Sequence, residues 1–218
     1  MLYLERMYPK IIFFNLFIIV SMLSCNKPVG KLVAIQPLPG YPSGSGLAYH
    51  NGYIYLMGDD ATQILITDTL FKLKDSISIF TAAEKRIAKD EKADIEAIAL
   101  ISRNKTSLLL MLGSGSLSPN RDSCILIDPL TKEQKHYSLS LFYSRLRSAG
   151  IRDLNIEGVT SLPFGIGLVS RGNKIFPRNI LIITEDKFWE NQGTANFKLI
   201  KIGANSDTSS FNGISGMD

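Results

Sequence analysis

The chain has 218 residues, 45% of them hydrophobic and 20% charged, which is typical of a globular protein long enough to bury a sizeable core. Its formal net charge is +4, and its basic residues are scattered and not interleaved with aromatic residues, which argues against a nucleic-acid partner. Of the two cysteines, Cys124 lies in an apolar segment, which favours a small buried hydrophobic residue over a nucleophile.

Residues 1–25 have the three-part layout of an export signal. Two basic residues precede an apolar run over residues 11–23, which is too short for an ordinary transmembrane helix. The run ends in Met22-Leu23-Ser24-Cys25, which resembles a bacterial lipoprotein signal, where a small residue precedes a cysteine that becomes lipidated. The alternatives are an ordinary signal peptide and an uncleaved anchor. We predict a signal peptide over residues 1–25 and a tether over residues 26–30.

Lipidation of Cys25 would determine where the protein resides. Two or more acyl chains on one residue hold a protein stably on a bilayer. The sequence therefore predicts a soluble domain anchored to a membrane of the cell envelope, on the periplasmic or outer-membrane side.

A short pattern recurs after the tether: Ser or Glu, a tiny residue, an aliphatic residue and then usually a small one. The copies are residues 45–48, 96–99, 157–160 and 215–218. The tiny residues lie about 50–60 positions apart, a period typical of repeat architectures.

Three further segments follow each of the first three copies in the same order. The second segments are residues 53–57, 108–112 and 166–170, and the third are 64–68, 125–128 and 180–184. Both kinds are nearly continuous apolar runs, which predicts strands buried on both faces. The fourth segments are residues 76–80, 134–139 and 197–202, whose alternating pattern predicts a half-exposed outer strand.

The repeated segments predict an all-β fold over residues 31–218, a β-propeller built from four-stranded blades. The first strand of each blade would line a central channel, where tiny residues relieve crowding. About three and a half blades are present, and propellers typically have four to eight. We therefore expect a truncated ring whose parent has six blades, with a strand over residues 31–35 completing the last blade.

Two inserts interrupt the predicted strands. Residues 82–92 are rich in charge and could form a short helix or a loop. Residues 138–149 carry Leu139, Phe142 and Leu146 at helical spacing and predict a short helix that ends at Gly150. Each insert precedes a first strand, so both should lie at one end of the channel.

Two motifs point to a family. Asp94-Ile95-Glu96-Ala97-Ile98-Ala99 and Asn155-Ile156-Glu157-Gly158-Val159-Thr160 resemble the Asp-x-Glu-Gly-Ile/Leu-Ala/Thr signature of esterase-like phytase propellers and related exported propellers. The chain after Cys25 looks closest to an uncharacterised family of bacterial propeller lipoproteins. The resemblance implies the propeller fold, and its phytase branch implies hydrolysis of phosphate esters. Ser45 and Ser215 replace the glutamate in the first and fourth copies.

Glu96 and Glu157 begin predicted channel-lining strands, close to polar residues at the ends of the second strands. We predict that one channel end forms a recognition surface from Asp59, Asp60, Glu96, Ser114, Arg121, Glu157 and Arg171. The two glutamates are candidate ligands for a hard cation such as Ca²⁺. The alternatives are structural: hydrogen bonds with the backbone of the next blade, or ion pairs with Arg121 and Arg178. Acid–base catalysis by the glutamates is a further possibility.

Common catalytic motifs are missing from the sequence. Residues 113–116, Gly-Ser-Gly-Ser, lack the lysine and spacing of a P-loop, and the chain has neither a nucleophile elbow nor zinc-ligand spacing. Three hypotheses follow. The first is a lipid-anchored ligand-binding or scaffolding module for a small molecule, a glycan or a protein. The second is an esterase-like phytase or phosphoesterase with a cation-assisted carboxylate site. The third is a purely structural envelope protein.

Overall fold

The computed structural model describes residues 35–81, 86–103, 106–203, 213–214 and 216–217. These residues form twelve β-strands and one α-helix. The strands are β1 Gly44–His50, β2 Tyr53–Gly58, β3 Gln63–Asp68, β4 Leu73–Ser78, β5 Ile95–Arg103, β6 Thr106–Gly113, β7 Ser123–Ile127, β8 Gln134–Ser138, β9 Ile156–Leu162, β10 Gly165–Ser170, β11 Asn179–Thr184 and β12 Phe197–Ile202. The helix, α1, spans Ser140–Ser148 and lies between β8 and β9.

The strands form three four-stranded antiparallel sheets, and within each sheet the strands follow one another in chain order. Sheet 1 contains β1 to β4, sheet 2 contains β5 to β8, and sheet 3 contains β9 to β12. The prediction of an all-β chain built from repeated four-stranded units is confirmed.

The aliphatic residue of each tetrapeptide occupies the same row of its sheet. In sheet 1 the row is Leu47, Leu56, Leu65 and Ser76. In sheet 2 it is Ile98, Met111, Ile125 and His136, and in sheet 3 it is Val159, Leu168, Ile182 and Leu199. Because strand register sets which side chains share a face, the recurring pattern gives the three sheets equivalent faces.

Two apolar cores join the sheets in sequence. The first lies between sheets 1 and 2 and includes Tyr55, Met57 and Leu109. The second lies between sheets 2 and 3 and includes Leu110 and Leu168. Sheet 2 is therefore buried on both faces, which explains why β6 and β7 are almost continuously apolar.

Helix α1 packs its buried face against the second core. Phe142, Tyr143 and Leu146 are buried, as their helical spacing predicts. The Tyr143 hydroxyl donates a hydrogen bond of 2.8 Å to the carbonyl oxygen of Gly113, at the end of β6. The helix ends before Gly150, whose φ of 112° is readily adopted only by glycine. The prediction of this helix is confirmed. Within the described part of the chain, no helix is long and apolar enough to cross a membrane.

Some predicted segments differ from the structure or lie outside it. The fourth strand of sheet 1 is Leu73–Ser78, earlier than the predicted 76–80. The Asp68 carboxylate accepts hydrogen bonds from the backbone N–H groups of Leu70 and Lys72, which shortens the turn and lets the strand begin sooner. The predicted strand 31–35 lies outside the described residues except for Ile35, which is not in a strand.

The insert over residues 82–92 is described only from Arg86 onward. Its described part forms an isolated bridge between Arg86 and Ala61, followed by a turn, and it contains no helix. Ser215 and Asp218, the first and last residues of the fourth tetrapeptide, also lie outside the described residues.

Candidate functional site

The first strands of the three sheets meet at one cavity of about 840 Å³. β1 contacts β5, and β5 in turn contacts β9. The lining consists of residues 45–49, 96–100, 157–161 and 216–217. All four tetrapeptides therefore contribute to a shared wall, and Ser45, Glu96 and Glu157, the first residues of three of them, lie in it.

The tiny residues of the pattern allow neighbouring copies to approach closely. A Cβ on Gly46 would lie 2.9 Å from Cγ2 of Ile98, the aliphatic residue of the next copy. A Cβ on Gly158 would likewise lie 2.8 Å from the backbone nitrogen of Met217, again the aliphatic residue of the next copy. The tiny residues thus make room for the following copy of the pattern.

A backbone hydrogen bond repeated in each sheet fixes two polar positions near the start of the first strand. The N–H groups of Asp59, Ser114 and Arg171 donate to the carbonyl oxygens of Ser43, Asp94 and Asn155, at 3.0, 2.9 and 2.8 Å. Each bond joins the residue immediately after the second strand to the residue two positions before the tetrapeptide. Asp59, Ser114 and Arg171 are therefore equivalent positions, as are Ser45, Glu96 and Glu157.

Ser45, the serine at the first position of the pattern in sheet 1, bonds to the neighbouring sheet. Its hydroxyl donates a 2.8 Å hydrogen bond to the carbonyl oxygen of Ile95, at the start of β5. The serine hydroxyl therefore connects sheet 1 to the backbone of sheet 2.

Glu157 has a cationic partner within its own sheet. Arg171 Nη2 lies 2.6 Å from Glu157 Oε1, and the Asn155 side-chain amide donates to the same oxygen at 2.7 Å. Burial raises the pKa of Glu157, although the Arg171 charge and the Asn155 hydrogen bond oppose the rise. The arginine that pairs with this glutamate is thus Arg171, and not the predicted Arg178.

Glu96 differs from both of its equivalents. No described residue donates a hydrogen bond to its carboxylate or forms an ion pair with it. Burial raises its pKa to about 7, and the negative charges of Glu157, Asp94 and Asp59 add to the rise. The Lys92 charge acts in the opposite direction. Glu96 therefore exchanges its proton near neutral pH, inside the cavity.

Asp94 is the centre of a network behind Glu96. Its carboxylate lies 2.6 Å from Lys92 Nζ, accepts a 2.6 Å hydrogen bond from the Ser114 hydroxyl and lies 2.9 Å from Arg121 Nη1. Lys92 also forms an ion pair with Asp59. Burial alone would raise the pKa of Asp94, but the Lys92 and Ser114 hydrogen bonds outweigh it and hold the pKa below its ordinary value. Arg121 is thus paired with Asp94, and not with Glu96 as the structural alternative had it.

The acidic groups nearest one another are Asp59, Asp94 and Glu96, each with a carboxylate oxygen within 4.8 Å of the others. Glu157 is not among them. Lys92 already supplies a positive charge to Asp59 and Asp94, so only Glu96 lacks a cationic partner. Because Ca²⁺ requires six to eight oxygen ligands, this set fits a dedicated calcium site poorly.

Of the seven predicted residues, Glu96 and Glu157 line the cavity, whereas Asp59, Ser114, Arg121, Arg171 and the remaining residue, Asp60, do not. Asp60 is buried, and its carboxylate pairs with Arg86 Nε at 2.6 Å. Sequence reasoning omitted Lys92 and Asp94 from the predicted recognition surface. Asp94 could have been found, because it opens the quoted Asp-Ile-Glu motif. Lys92 could not, because it sits in an insert of many charges with nothing to distinguish it.

Cys124 has no features of a nucleophile. It is fully buried in the second core, where burial raises the pKa of its thiol well above the ordinary value. It therefore fills space as a small hydrophobic residue, in agreement with the sequence-based expectation.

Residues 40–210 match a family of unknown function, DUF6929. The chain belongs to this family. The DUF6929 match spans all three sheets and helix α1, so the cavity and both cores fall within it. Comparison with curated proteins gives no match. The family is of unknown function, so the geometry of the site is the basis for the function of this chain.

Proposed function

We propose that each sheet is a propeller blade and that the cavity lies on the propeller axis. Three observations support the proposal. The first strand of each sheet lines the shared cavity, the fourth strands are the most exposed, and Gly46 and Gly158 pack on the next copy of the pattern. Gly216 and Met217 lie beside Gly158 much as β5 lies beside Gly46, which is the place of a following blade.

On this basis we propose that the protein is a binding module whose ligand enters the axial cavity. The observation that carries the proposal is the half-buried carboxylate of Glu96 in the wall of an 840 Å³ cavity, which has no hydrogen-bond or ion-pair partner among the described residues. Partial removal of a carboxylate from water without a partner costs free energy, which a ligand that pairs with it would offset. The volume lies within the range of small-molecule sites.

A blocking variant tests whether ligands occupy the cavity. Ala99 lines it and is half-buried, so Ala99→Trp should fill much of the space. The matched control is Leu130→Trp, at an exposed turn outside the cavity. We expect small amphiphilic probes followed by saturation-transfer NMR to bind the wild type and the control, and not Ala99→Trp. Equal binding to all three proteins would refute the axial site.

We further propose that the domain is exported and held on a membrane of the cell envelope through a lipid on Cys25. The signal-like layout of residues 1–25 supports this, since Cys25 follows Ser24 at the end of an apolar run. Cys25→Ala should move the protein from the membrane fraction to the soluble fraction and abolish incorporation of labelled palmitate. Cys124→Ala, which removes the other cysteine, should change neither result.

A hydrolase is the second candidate, and the proton affinity of Glu96 favours it. A carboxyl group whose pKa is about 7 can act as a general acid or base at neutral pH. Arg171 would hold the Glu157 carboxylate in position nearby. The resemblance to esterase-like phytases suggests phytate and p-nitrophenyl phosphate as substrates, each assayed with and without Ca²⁺. Turnover that is lost in Glu96→Gln or Glu157→Gln would support the enzyme, and absence of turnover would leave the binding module.

A further inference from the structure

We propose that the axial cavity accepts an amphiphilic organic cation, whose ammonium group pairs with Glu96 and whose apolar part lies along the first strands. This inference rests on the proposed binding function and specifies the chemical class of its ligand. It depends on which charged groups already have ion-pair partners at the end of the cavity where Glu96 and Glu157 lie, which we call the polar end.

The ion pairs leave one negative charge uncompensated. Arg171 neutralises Glu157, while Lys92 and Arg121 neutralise Asp94 and Asp59. Glu96 is then the carboxylate in excess. A cationic ligand would complete the set, whereas an anionic ligand would meet an unpaired carboxylate in a partly dehydrated site. The charges at this end therefore select against the phosphate esters of the second candidate function.

The walls beyond Glu96 are suited to an apolar body. Leu47 and Tyr49 line the cavity and are more than half exposed, and Leu100 is half-buried in the same lining. Ile98 and Val159 also belong to the lining, but their side chains are buried in the cores between the sheets. A small hydrated cation would use none of this surface, whereas a short aliphatic or aromatic chain would bury it.

Proton exchange at Glu96 makes binding depend on pH. The charged groups that face this carboxylate are Asp59, Lys92 and Asp94 from the neighbouring segments and Glu157 from β9. In the unliganded protein its pKa is about 7, so it is mostly neutral at pH 6 and mostly charged at pH 8. An ammonium ligand prefers the charged form, and its affinity should rise over this interval as binding releases a proton.

Two probes of similar shape, one charged and one neutral, test how much the charge of the ligand contributes to its affinity. 2-Phenylethylammonium stays protonated from pH 6 to pH 8, and 2-phenylethanol is its uncharged counterpart. Calorimetry or NMR titration of the full chain at pH 8 should give about tenfold or greater preference for the ammonium, the size expected of a charge-assisted hydrogen bond. The preference should shrink at pH 6. Glu96→Gln should remove it while 2-phenylethanol still binds.

Controls make each outcome decisive. Glu133→Gln makes the same change at an exposed turn and should keep the full preference. Equal binding of both probes to the wild type at pH 8, or a preference that survives Glu96→Gln, would overturn the inference and leave the axial site standing. Binding of neither probe would count against the axial site itself. The comparison of pH 6 with pH 8 uses only wild-type protein, so it tests the role of the Glu96 charge even if Glu96→Gln folds badly. An equal preference for the ammonium at both pH values would contradict that role.

Discussion

Gly113 and Arg121 approach so closely that a Cβ on Gly113 would lie 2.4 Å from the carbonyl oxygen of Arg121. The carbonyl oxygen of Ala93 would lie 2.7 Å from the same Cβ. Two backbone segments that carry the ion-pair network, one leading to Asp94 and one bearing Arg121, therefore converge on this glycine. The position of the network depends on the lack of a side chain at the end of β6.

A methyl group at this point should destabilise the protein. We expect Gly113→Ala to lower the free energy of unfolding by about 1–3 kcal/mol, because the obstructing atoms belong to the backbone and cannot rotate away. Gly44→Ala is the control, since a Cβ there meets no atom within 4 Å. Urea titration followed by circular dichroism measures both variants. An unchanged midpoint for Gly113→Ala would contradict the close approach.

Removal of Lys92 should leave Asp59 without its cationic partner and Asp94 with Arg121 alone. Its side chain is only 12% exposed, and that of Asp94 only 7%. We expect Lys92→Met to cost about 3 kcal/mol at pH 7, as is usual when one partner of a buried ion pair is removed. The control is Lys74→Met, which breaks an exposed pair with Asp68 and should cost less than about 1 kcal/mol.

The Lys92→Met deficit should depend on pH in a defined direction. The pKa of Asp94 is lowered in the folded protein, so its ionised form stabilises the fold above the unfolded pKa, and this contribution is lost as the pH falls. Without Lys92 the ionised form of Asp94 stabilises the fold less. The two proteins should therefore approach equal stability below about pH 4, where carboxyl groups become protonated. A deficit that stays constant from pH 7 to pH 3 would indicate lost packing instead.

Glu96 should make the folded state less stable as the pH rises. Its pKa is raised from 4.5 to about 7, so the folded protein binds more protons than the unfolded chain between these values. Stability is highest when Glu96 is protonated and falls from about pH 4.5 to about pH 7. Solvent screens this partly buried group, and we therefore expect Glu96→Gln to gain only about 1 kcal/mol at pH 8.

Thermal unfolding of the Glu96→Gln variant between pH 4 and pH 8 measures this effect. The difference in Tm should appear above pH 5 and vanish in acid. A variant less stable than the wild type at pH 8 would mean that Glu96 has a stabilising partner. A Tm of Glu96→Gln above that of the wild type at pH 8 would agree with a residue that is retained for binding although it lowers stability.

Helix α1 offers a test of the second core. Phe142 is fully buried, and its ring centroid lies 4.6 Å from that of Phe188. We expect Phe142→Ala to cost about 3–5 kcal/mol, from lost burial and the remaining cavity. Its neighbour Leu141 is 56% exposed, so Leu141→Ala should cost less than about 1 kcal/mol. Chemical denaturation measures the free energy of unfolding of both variants and so separates the effect of packing from that of helix propensity. Equal losses of stability in the two variants would mean that α1 does not pack in the core.

Much of the fold could be predicted because strands and their faces follow local apolar patterns. The apolar runs predicted β2, β3, β6, β7, β10 and β11, and the spacing of Phe142 and Leu146 predicted α1. The start of β4 was missed because Lys74 and Asp75 are exposed and give no apolar signal. The propeller arrangement of the sheets and the lipid on Cys25 stay predictions.

The sequence by itself determined the repeat, the three sheets and the residues near the start of the cavity-lining strands, because periodicity and register are properties of nearby residues. Only the tertiary structure decided which of the equivalent positions acquired a partner. Ser45 bonds to the next sheet, Glu157 is paired with Arg171, and Glu96 has no ion-pair partner in the described part of the chain. Pairing of charges depends on distances between segments far apart in the chain, and no local pattern encodes those distances.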